Sequence, residues 1–304
     1  MTTEATGPGG QVPPGFIVPA WPAPPRVRAV FTTRLGGVSA PPWDAMNLGT
    51  HVGDDPVHVR ENRQRLARYL ARRGAPWPLF LDQVHGIDVV DCAAGVADGA
   101  RADASLSAQP GRACVVMVAD CLPVLLASAD GRVVAAAHAG WRGLAGAPVA
   151  AGPAPDGVLN GVRNGVLEAT VRALRQRTAS PLVAWLGPCI GPGAFEVGEE
   201  VRAAFGPEGQ GCFRPAAAPG KYWADLPTLA RLRLSRLGVA SVSGNDGSPD
   251  WCTYGRPALF FSHRRDAAVR GTTGRMAACV WIEAAAGSVV GQPDTAALQG
   301  GHPG

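Results

Sequence analysis

The sequence predicts an α/β (α+β) fold in which mixed β-sheets are flanked by helices. Apolar segments with the length of strands alternate along the chain with segments that carry helix-capping signals, as in α/β or α+β domains. Hydrophobic residues make up 46% of the 304 residues and charged residues 17%, so the chain can bury a sizeable core. The same composition excludes a chain that is disordered throughout.

Capping residues and apolar runs predict where the helices and strands begin and end. Pro56 suits the first turn of a helix that Asp54 or Asp55 caps and that Gly74 ends. Further helices are predicted at Val166–Arg177, Gly198–Phe205 and Leu226–Leu237. Strands are predicted at Arg28–Arg34, Leu79–Gln83, Ile87–Val90, Ala113–Val118, Val183–Leu186 and Met276–Ile282.

The composition also changes along the chain. Residues 1–27 are rich in proline and residues 284–304 in glycine and alanine, so both are predicted to be loosely packed or flexible tails. Residues 28–283 are predicted to form a single catalytic domain. Within it, the Gly-, Pro- and Ala-rich segment 144–164 is predicted to be an insertion.

The charge and cysteine content narrow the function classes. The net charge is +4 without a Lys/Arg run, which does not indicate nucleic-acid binding. No uninterrupted apolar stretch approaches the ~18–20 residues of a membrane span, and no signal peptide is recognisable. The seven cysteines are odd in number and scattered, which predicts reduced thiols in a cytoplasmic protein without a membrane partner.

One stretch carries most of the chemical information. Asp130-Gly131 is a strong turn signal between two apolar runs, and a hairpin centred there places His138 opposite Pro123. Cys121 then lies two residues further along the same face. Diagonal cross-strand neighbours are about 7–8 Å apart, so Cys121 and His138 can converge at the open end of the hairpin.

A thiolate and an imidazole are both ligands of Zn²⁺, and His85, in the turn DQVHG, is a candidate third ligand. Three protein ligands leave one position open, as in catalytic zinc sites. The spacing alone leaves another interpretation open. Cys121 could be a small buried residue, and the two histidines could be core residues with satisfied hydrogen bonds.

A set of motifs in a fixed order resembles a known family. The motifs are TTRLGGVS (32–39), NLGTHVGDD (47–55), ENRQRL (61–66), DQVHG (82–86), RADA (101–104), VADCLPVLL (118–126), AAAHAGWRG (135–143), WLGPCIGPGAFEV (185–197), CTY (252–254), FFSHRRD (260–266) and TGRMA (273–277). The chain resembles the laccase-domain (YfiH-like) purine nucleoside phosphorylases, formerly called polyphenol oxidases. The ordered set is specific, although no single motif is.

The resemblance implies a fold similar to the cytotoxic necrotizing factor and YfiH-like cysteine hydrolase fold. It implies metal ligation by His85, Cys121 and His138, with Zn²⁺ as the cofactor and copper as a possibility. It also implies phosphorolysis of adenosine, inosine, guanosine or methylthioadenosine, with adenosine deamination as a possible second activity. The expected partners are a purine nucleoside and phosphate, and the expected state is a monomer or small homo-oligomer.

Other polar residues of these motifs are candidates for substrate contacts. Arginine suits phosphate, and Arg34, beside Gly36 and Gly37, is the preferred phosphate ligand and catalytic residue. Further candidates for binding substrate are Arg142, Arg264, Asn47 and Gln83. Each of these also has a structural alternative, such as a turn or a local ion pair.

Asp103 is expected either to have a structural role or to orient a ligand histidine. Strand alternation predicts that Asp120 points away from the metal. His263 stands where the family commonly has tyrosine, so the role of a hydroxyl group there is in doubt.

Three other functions remain as alternatives. Cys121 and His138 could form the nucleophile and base of a thiol hydrolase, including an amidase that edits cytoplasmic peptidoglycan precursors. Copper-dependent phenol oxidation is disfavoured because six histidines are few for a multicopper centre. A non-catalytic binding module would need a saturated metal site or none, and the sequence offers no evident fourth ligand.

Overall fold

The structure is a computed structural model that describes residues 12–92, 96–146 and 164–284. The strands are β1 (Phe16–Ile17), β2 (Val27–Thr32), β3 (Trp77–Leu79), β4 (Leu81–Asp82), β5 (Val89–Asp91), β6 (Ala100–Arg101), β7 (Ala104–Ser107), β8 (Arg112–Val118), β9 (Leu122–Ser128), β10 (Val134–Ala139), β11 (Leu182–Leu186), β12 (Glu196–Gly198), β13 (Phe213–Pro215), β14 (Lys221–Ala224), β15 (Ser241–Gly244) and β16 (Met276–Ile282). The helices are α1 (Pro56–Ala71), α2 (Trp141–Ala145), α3 (Val166–Arg175), α4 (Glu199–Ala204), α5 (Gly206–Gly209), α6 (Leu226–Arg236) and α7 (Ala268–Arg270).

Two large mixed sheets form the centre of the described residues. The first sheet has the strand order β1-β2-β16-β8-β3, and the second has the order β15-β11-β9-β10-β7-β5. Apolar residues from both sheets, such as Phe31 and Trp185, belong to one buried cluster between them. The two sheets therefore pack face to face over a shared core.

Helices cover the outer faces of both sheets. Leu66 and Leu70 of α1 pack with Val115 on the outer face of the first sheet. Leu167 of α3 and Leu234 of α6 belong to the cluster on the outer face of the second sheet. The predicted mixed sheets with flanking helices are confirmed, and the helices and sheets form four layers.

The central hairpin has the predicted register. β9 pairs with β10 in an antiparallel manner, and His138 lies opposite Pro123. The chain reverses through Asp130 and Gly131, and Gly131 has a positive φ of 68°, which glycine adopts without strain. This register places Cys121 and His138 at the open end of the hairpin, as the sequence predicted.

Some boundaries differ from the predictions. The predicted strand Leu79–Gln83 divides into β3, which pairs with β8, and β4, which pairs with β6. The predicted strand Arg28–Arg34 ends at Thr32, because Arg34 instead donates its backbone N–H to Leu259. Asp55, rather than Asp54, caps α1 by accepting a hydrogen bond from Val57.

Part of the predicted N-terminal tail packs on the domain. Phe16 is buried, and β1 pairs with β2 at the edge of the first sheet. Aromatic packing of Phe16 against Tyr69 holds this segment on the domain. Residues 1–11 and 285–304, which belong to the two predicted tails, lie outside the described residues.

The predicted insertion lies largely outside the described residues, but its two ends are visible. Gly146 follows α2 and Asn164 precedes α3, and a Cβ atom on Gly146 would lie 2.6 Å from the carbonyl carbon of Asn164. The chain therefore leaves and re-enters the domain at one point. Among the described helices, none has the length and apolarity needed to cross a membrane.

Candidate metal centre and substrate cavity

Three residues from three segments meet at the open end of the central hairpin. Cys121 directly precedes β9, His138 lies near the end of β10, and His85 lies in the turn between β4 and β5. Their ligand atoms all lie within 4.8 Å of one another. Cys121 Sγ is 3.7 Å from His85 Nε2, and the two imidazole rings meet edge to face with their centroids 4.8 Å apart. This is the trio that the sequence predicted.

Asp103 fixes two of these ligands at once. One carboxylate oxygen lies 2.8 Å from His138 Nδ1 and accepts the backbone N–H of His85. The other oxygen accepts the backbone N–H groups of Val84 and Gly86. The carboxylate therefore orients the His138 ring and also holds the turn that carries His85, whose φ is 60°.

The donor set fits a tetrahedral metal ion. With metal–sulfur and metal–nitrogen bonds of about 2.3 and 2.05 Å, the sulfur and nitrogen ligands should be about 3.6 Å apart. The observed separation between Cys121 Sγ and His85 Nε2 is 3.7 Å. Because Asp103 occupies His138 Nδ1, Nε2 is the nitrogen that His138 can offer to a metal.

The trio is also electrostatically coupled. Burial disfavours the Cys121 thiolate, but His138 and His85 outweigh burial and lower the pKa of Cys121 to about 6. Burial similarly disfavours a protonated His138, yet Cys121 and Asp103 raise its pKa to about 9. Without a metal, the pair is thus a thiolate and an imidazolium at pH 7, and a metal ion would replace the imidazolium proton.

A cavity of about 350 Å³ opens beside the trio. Its floor includes Met117, Val118 and Ala119 at the end of β8. Its further lining residues are His51, Gln83, His85, Asp120, Cys121, His138, Trp141, Arg142, Ile190, Phe195, Leu226, His263, Arg264 and Arg275. The cavity thus combines apolar faces, cationic side chains and the three ligand residues, which suits a ligand with a ring and an anionic group.

The cationic side of the cavity carries three arginines. The guanidinium of Arg142 lies over Trp141, and that of Arg264 lies over Phe195. Arg275 lies at the start of β16 and is less exposed than the other two. Asp120 is the carboxylate in this lining, and its hydrogen bonds are all made with neighbouring loops.

Asp120 holds the loop that carries two of the lining residues. Its carboxylate accepts hydrogen bonds from Thr253 Oγ1, Ser262 Oγ and the backbone N–H of Arg264. It has a φ of 88°, a conformation that is rare outside glycine. Asp120 is not one of the three clustered ligand residues, but it lines the same cavity and anchors His263 and Arg264. The strand alternation used to predict its direction does not apply, because Asp120 lies in a bend between β8 and β9.

Gln83, Arg142 and Arg264 line the cavity as the sequence suggested for substrate-binding residues. The amide of Gln83 is engaged on both sides by the backbone of Met117, with distances of 2.8 and 2.7 Å. The Arg142 side chain makes no hydrogen bond or ion pair with a described residue and rests on the Trp141 ring. Arg264 donates to the carbonyl of Glu196.

Two predicted site residues lie elsewhere. Arg34 lines a different cavity, where its guanidinium pairs with the Asp44 carboxylate at 3.0 Å and donates to the carbonyls of Asp44 and Pro257. This placement does not support its predicted role as the phosphate ligand. Asn47 is fully buried and does not line the cavity. Its side-chain amide forms hydrogen bonds with the backbone of Gly49 and the carboxylate of Asp54.

Sequence analysis assigned no role to Arg275 or His51 and left that of His263 undecided. All three line the cavity. Burial, reinforced by the charge of Arg275, lowers the pKa of both His51 and His263, so both imidazoles are neutral at pH 7. The motifs NLGTHVGDD and TGRMA contain His51 and Arg275, but only the folded chain brings them together.

Comparisons with known proteins identify the family of the chain. The family model described as "Multi-copper polyphenol oxidoreductase laccase" matches residues 28–155 and 156–283. A purine nucleoside phosphorylase of Pseudomonas aeruginosa is 48% identical over 271 residues, which cover 88% of this chain and 98% of the relative. The chain belongs to the laccase-domain, YfiH-like family.

Other laccase-domain proteins extend the likeness. The purine nucleoside phosphorylase YfiH of Escherichia coli is 46% identical over 268 residues, covering 88% of this chain and 98% of that protein. A crystal structure of a Neisseria meningitidis protein superposes with a TM-score of 0.75 at 41% identity, covering 89% of this chain and all of that one. The His-Cys-His trio of this YfiH-like chain therefore lies in a fold that the family shares.

Proposed function

We propose that the protein is a zinc-dependent purine nucleoside phosphorylase that acts in the cytoplasm on adenosine, inosine, guanosine or methylthioadenosine. The observation that carries the proposal is the three-ligand cluster that opens into a cavity with aromatic and cationic walls. The names of the purine nucleoside phosphorylases to which the chain is similar support the same activity.

Zinc suits the donor set better than the copper in the family model's description. One thiolate and two imidazoles with an open fourth position are typical of catalytic zinc. A multicopper centre needs many imidazoles, whereas the described residues contain this one cluster of three or more metal-ligating side chains. A single copper ion could nevertheless occupy the same three ligands.

The cavity offers separate surfaces for the parts of the substrates. Trp141 and Phe195 present apolar faces for a purine ring. Arg142 and Arg264 carry guanidinium groups beside these faces, and Gln83 shapes the wall next to His85. A bound zinc ion would supply Lewis-acid polarisation of an oxygen atom, while the arginines fix the anion.

Adenosine deamination fits the same arrangement as a possible second activity. In that reaction water, rather than phosphate, supplies the oxygen atom, and ammonia leaves the purine ring. The three ligands and the open position would serve both reactions, so one metal centre would suffice.

A thiol hydrolase, such as an amidase that edits peptidoglycan precursors, is the second candidate, and one observation favours it. Cys121, His138 and Asp103 are arranged as a nucleophile, a base and an orienting carboxylate. The lowered pKa of Cys121 would supply a thiolate at neutral pH. Zinc would compete with this role, because a metal-bound thiolate is a poor free nucleophile.

Chromatography of the products formed from adenosine tests the proposal. Purified protein with quantified zinc is incubated with and without phosphate, and a chelated sample serves as the control. Adenine that forms only with phosphate and only in the zinc-loaded sample is expected; inosine would add deamination. A zinc-loaded protein that releases no base would contradict the proposal, and an acyl adduct on Cys121 detected by mass spectrometry would favour the hydrolase.

A further inference from the structure

Arg275 differs from the other arginines of the cavity in how its backbone is held. Its N–H donates to Asn47 Oδ1 at 2.9 Å, and its carbonyl accepts the N–H of Leu48 at 3.1 Å. Asn47 is held in turn by Asp54, at 2.8 Å. The loop that contains Asn47 and Leu48 therefore fixes the start of the Arg275 side chain.

Gly49 fixes the next part of that side chain. A Cβ atom at Gly49 would lie 2.8 Å from Cγ of Arg275 and 3.3 Å from its Cβ. The aliphatic stem of Arg275 thus lies directly against the glycine backbone, in space that any other residue would fill. Because these contacts restrict the Arg275 side chain before a ligand binds, less conformational entropy is lost on binding, which favours affinity.

Some N–H donors of the Arg275 guanidinium are not used in hydrogen bonds with described residues. Nη1 donates to the carbonyls of Thr273 and Gly274. Within the described residues, Nε and Nη2 donate no hydrogen bond, and no carboxylate forms an ion pair with this side chain. Burial partly desolvates the guanidinium and lowers the pKa of Arg275, while the charges of Cys121 and Asp120 act in the opposite direction.

The side chains of the other two arginines are more exposed than that of Arg275. Arg142 and Arg264 are exposed and lie over aromatic rings, and Arg264 spends one nitrogen on the carbonyl of Glu196. Their position suits contacts with the outer part of a substrate. A preset, partly desolvated guanidinium with free N–H groups instead suits a small oxyanion, which it can bind through two parallel hydrogen bonds.

We propose that Arg275, preset by the loop Asn47–Gly49, binds the phosphate that attacks the nucleoside. The inference rests on the proposed phosphorolysis and names the residue that holds its nucleophile. In that step an oxygen of hydrogen phosphate bonds to C1′ of the ribose, and the C1′–N bond to the base breaks. The base takes the electron pair of that bond and the proton that the phosphate releases, so ribose 1-phosphate and the free purine form.

The test compares Arg275→Gln and Arg275→Lys with Arg132→Gln, a matched control at the opposite end of the central hairpin, where the arginine side chain is 81% exposed. Each zinc-loaded protein is assayed for KM of phosphate at saturating nucleoside and KM of nucleoside at saturating phosphate. Arg275→Gln should raise KM of phosphate about tenfold to hundredfold, because charge-assisted hydrogen bonds are lost, and should change KM of nucleoside by less than about threefold. Arg275→Lys should recover part of the loss, and the control should match the wild type.

A second variant and a direct binding measurement separate the possible failures. Gly49→Ala displaces the Arg275 side chain without removing it and should raise KM of phosphate in the same direction. Calorimetry with inorganic phosphate alone needs no turnover, so binding to the wild type but not to Arg275→Gln would show that Arg275 holds phosphate, and an absence of phosphorolysis would then count against the proposed function alone. Equal phosphate affinities in the wild type and Arg275→Gln, or no phosphate binding to the wild type, would overturn it; thermal unfolding and zinc content verify that each variant is folded.

Discussion

Two buried aspartates hold the two sides of the cavity in different ways. Asp103 contacts His138 and the backbone of the turn that carries His85. It therefore supports the side of the cavity formed by His85, Cys121 and His138, which is called the metal side below. Asp120 contacts Thr253, Ser262 and the backbone of Arg264, so it supports the cationic side. Each carboxylate is satisfied by its own set of donors.

The difference teaches that the two sides can fail independently. The metal side consists of strand ends and a tight turn that share one carboxylate, so loss of one ligand should remove the metal. The cationic side takes its three arginines from α2, the loop around His263 and the start of β16, so loss of one cation should weaken binding in a graded manner. Substitutions that affect one side only can therefore test the comparison.

The largest effect is expected on the metal side. Cys121→Ala should reduce zinc content to a small fraction and phosphorolysis on the order of a thousandfold, because the metal contributes several kcal/mol to the transition state. Cys212→Ala, which alters a buried thiol outside the cavity, is the matched control. Full activity of zinc-free Cys121→Ala would remove the metal from the mechanism.

Asp103→Asn should weaken zinc binding about tenfold to hundredfold, because the amide orients His138 poorly and places N–H donors near the backbone N–H groups of the turn. Competition with a metal-sensitive dye measures the affinity. Unchanged zinc affinity in a folded protein would show that the carboxylate is not needed to hold the ligands.

In the metal-free protein, alkylation of Cys121 should follow an apparent pKa of about 6, well below that of a free thiol. At pH 7 this should make Cys121 at least about tenfold more reactive than Cys212, whose pKa burial raises to about 11. Because the folded-state pKa of Cys121 is lowered, its thiolate contributes stability that is lost as the pH falls through about 6. Iodoacetamide labelling followed by mass spectrometry measures the profile, and a midpoint above pH 8 would contradict it.

Asp120→Asn should leave the affinity for zinc unchanged and raise the KM of the nucleoside about tenfold. The amide cannot accept all three hydrogen bonds, so the loop with His263 and Arg264 loosens, and the free energy of unfolding should fall by about 1–3 kcal/mol. Parallel assays of zinc affinity and KM measure the result. Loss of zinc here would mean that the two sides are not independent.

Arg142→Gln should have the smallest effect. The KM of phosphate should rise by no more than about threefold, and the rise should shrink at high salt. The side chain is exposed and rests on Trp141 without an ion pair to a described residue, so solvent screens most of its charge. A rise above about thirtyfold would give Arg142 the role that is assigned here to Arg275.

The metal side could be predicted from the sequence because its geometry is local. Cys121 and His138 are 17 residues apart around one turn, and the turn signal sets their register. Strand alternation does not apply to Asp120, which lies in a bend between β8 and β9. His85 was a chemical inference that the resemblance to a family then supported.

The cationic side could not be predicted in this way. Arg34 stands beside two glycines, which resembles an anion site, but Asp44 is close enough in the fold to pair with it. Asn47 and Arg275 are separated by 228 residues, and no local pattern indicates their hydrogen bond. Contacts of that range depend on how the two sheets pack.

The meeting of Gly146 and Asn164 has a consequence for the evolution of this fold. A segment that begins and ends at one point can lengthen, shorten or be exchanged without moving α2 or α3, because loop-closure entropy grows only slowly with length. The same junction therefore suits the insertion of a foreign peptide or reporter domain.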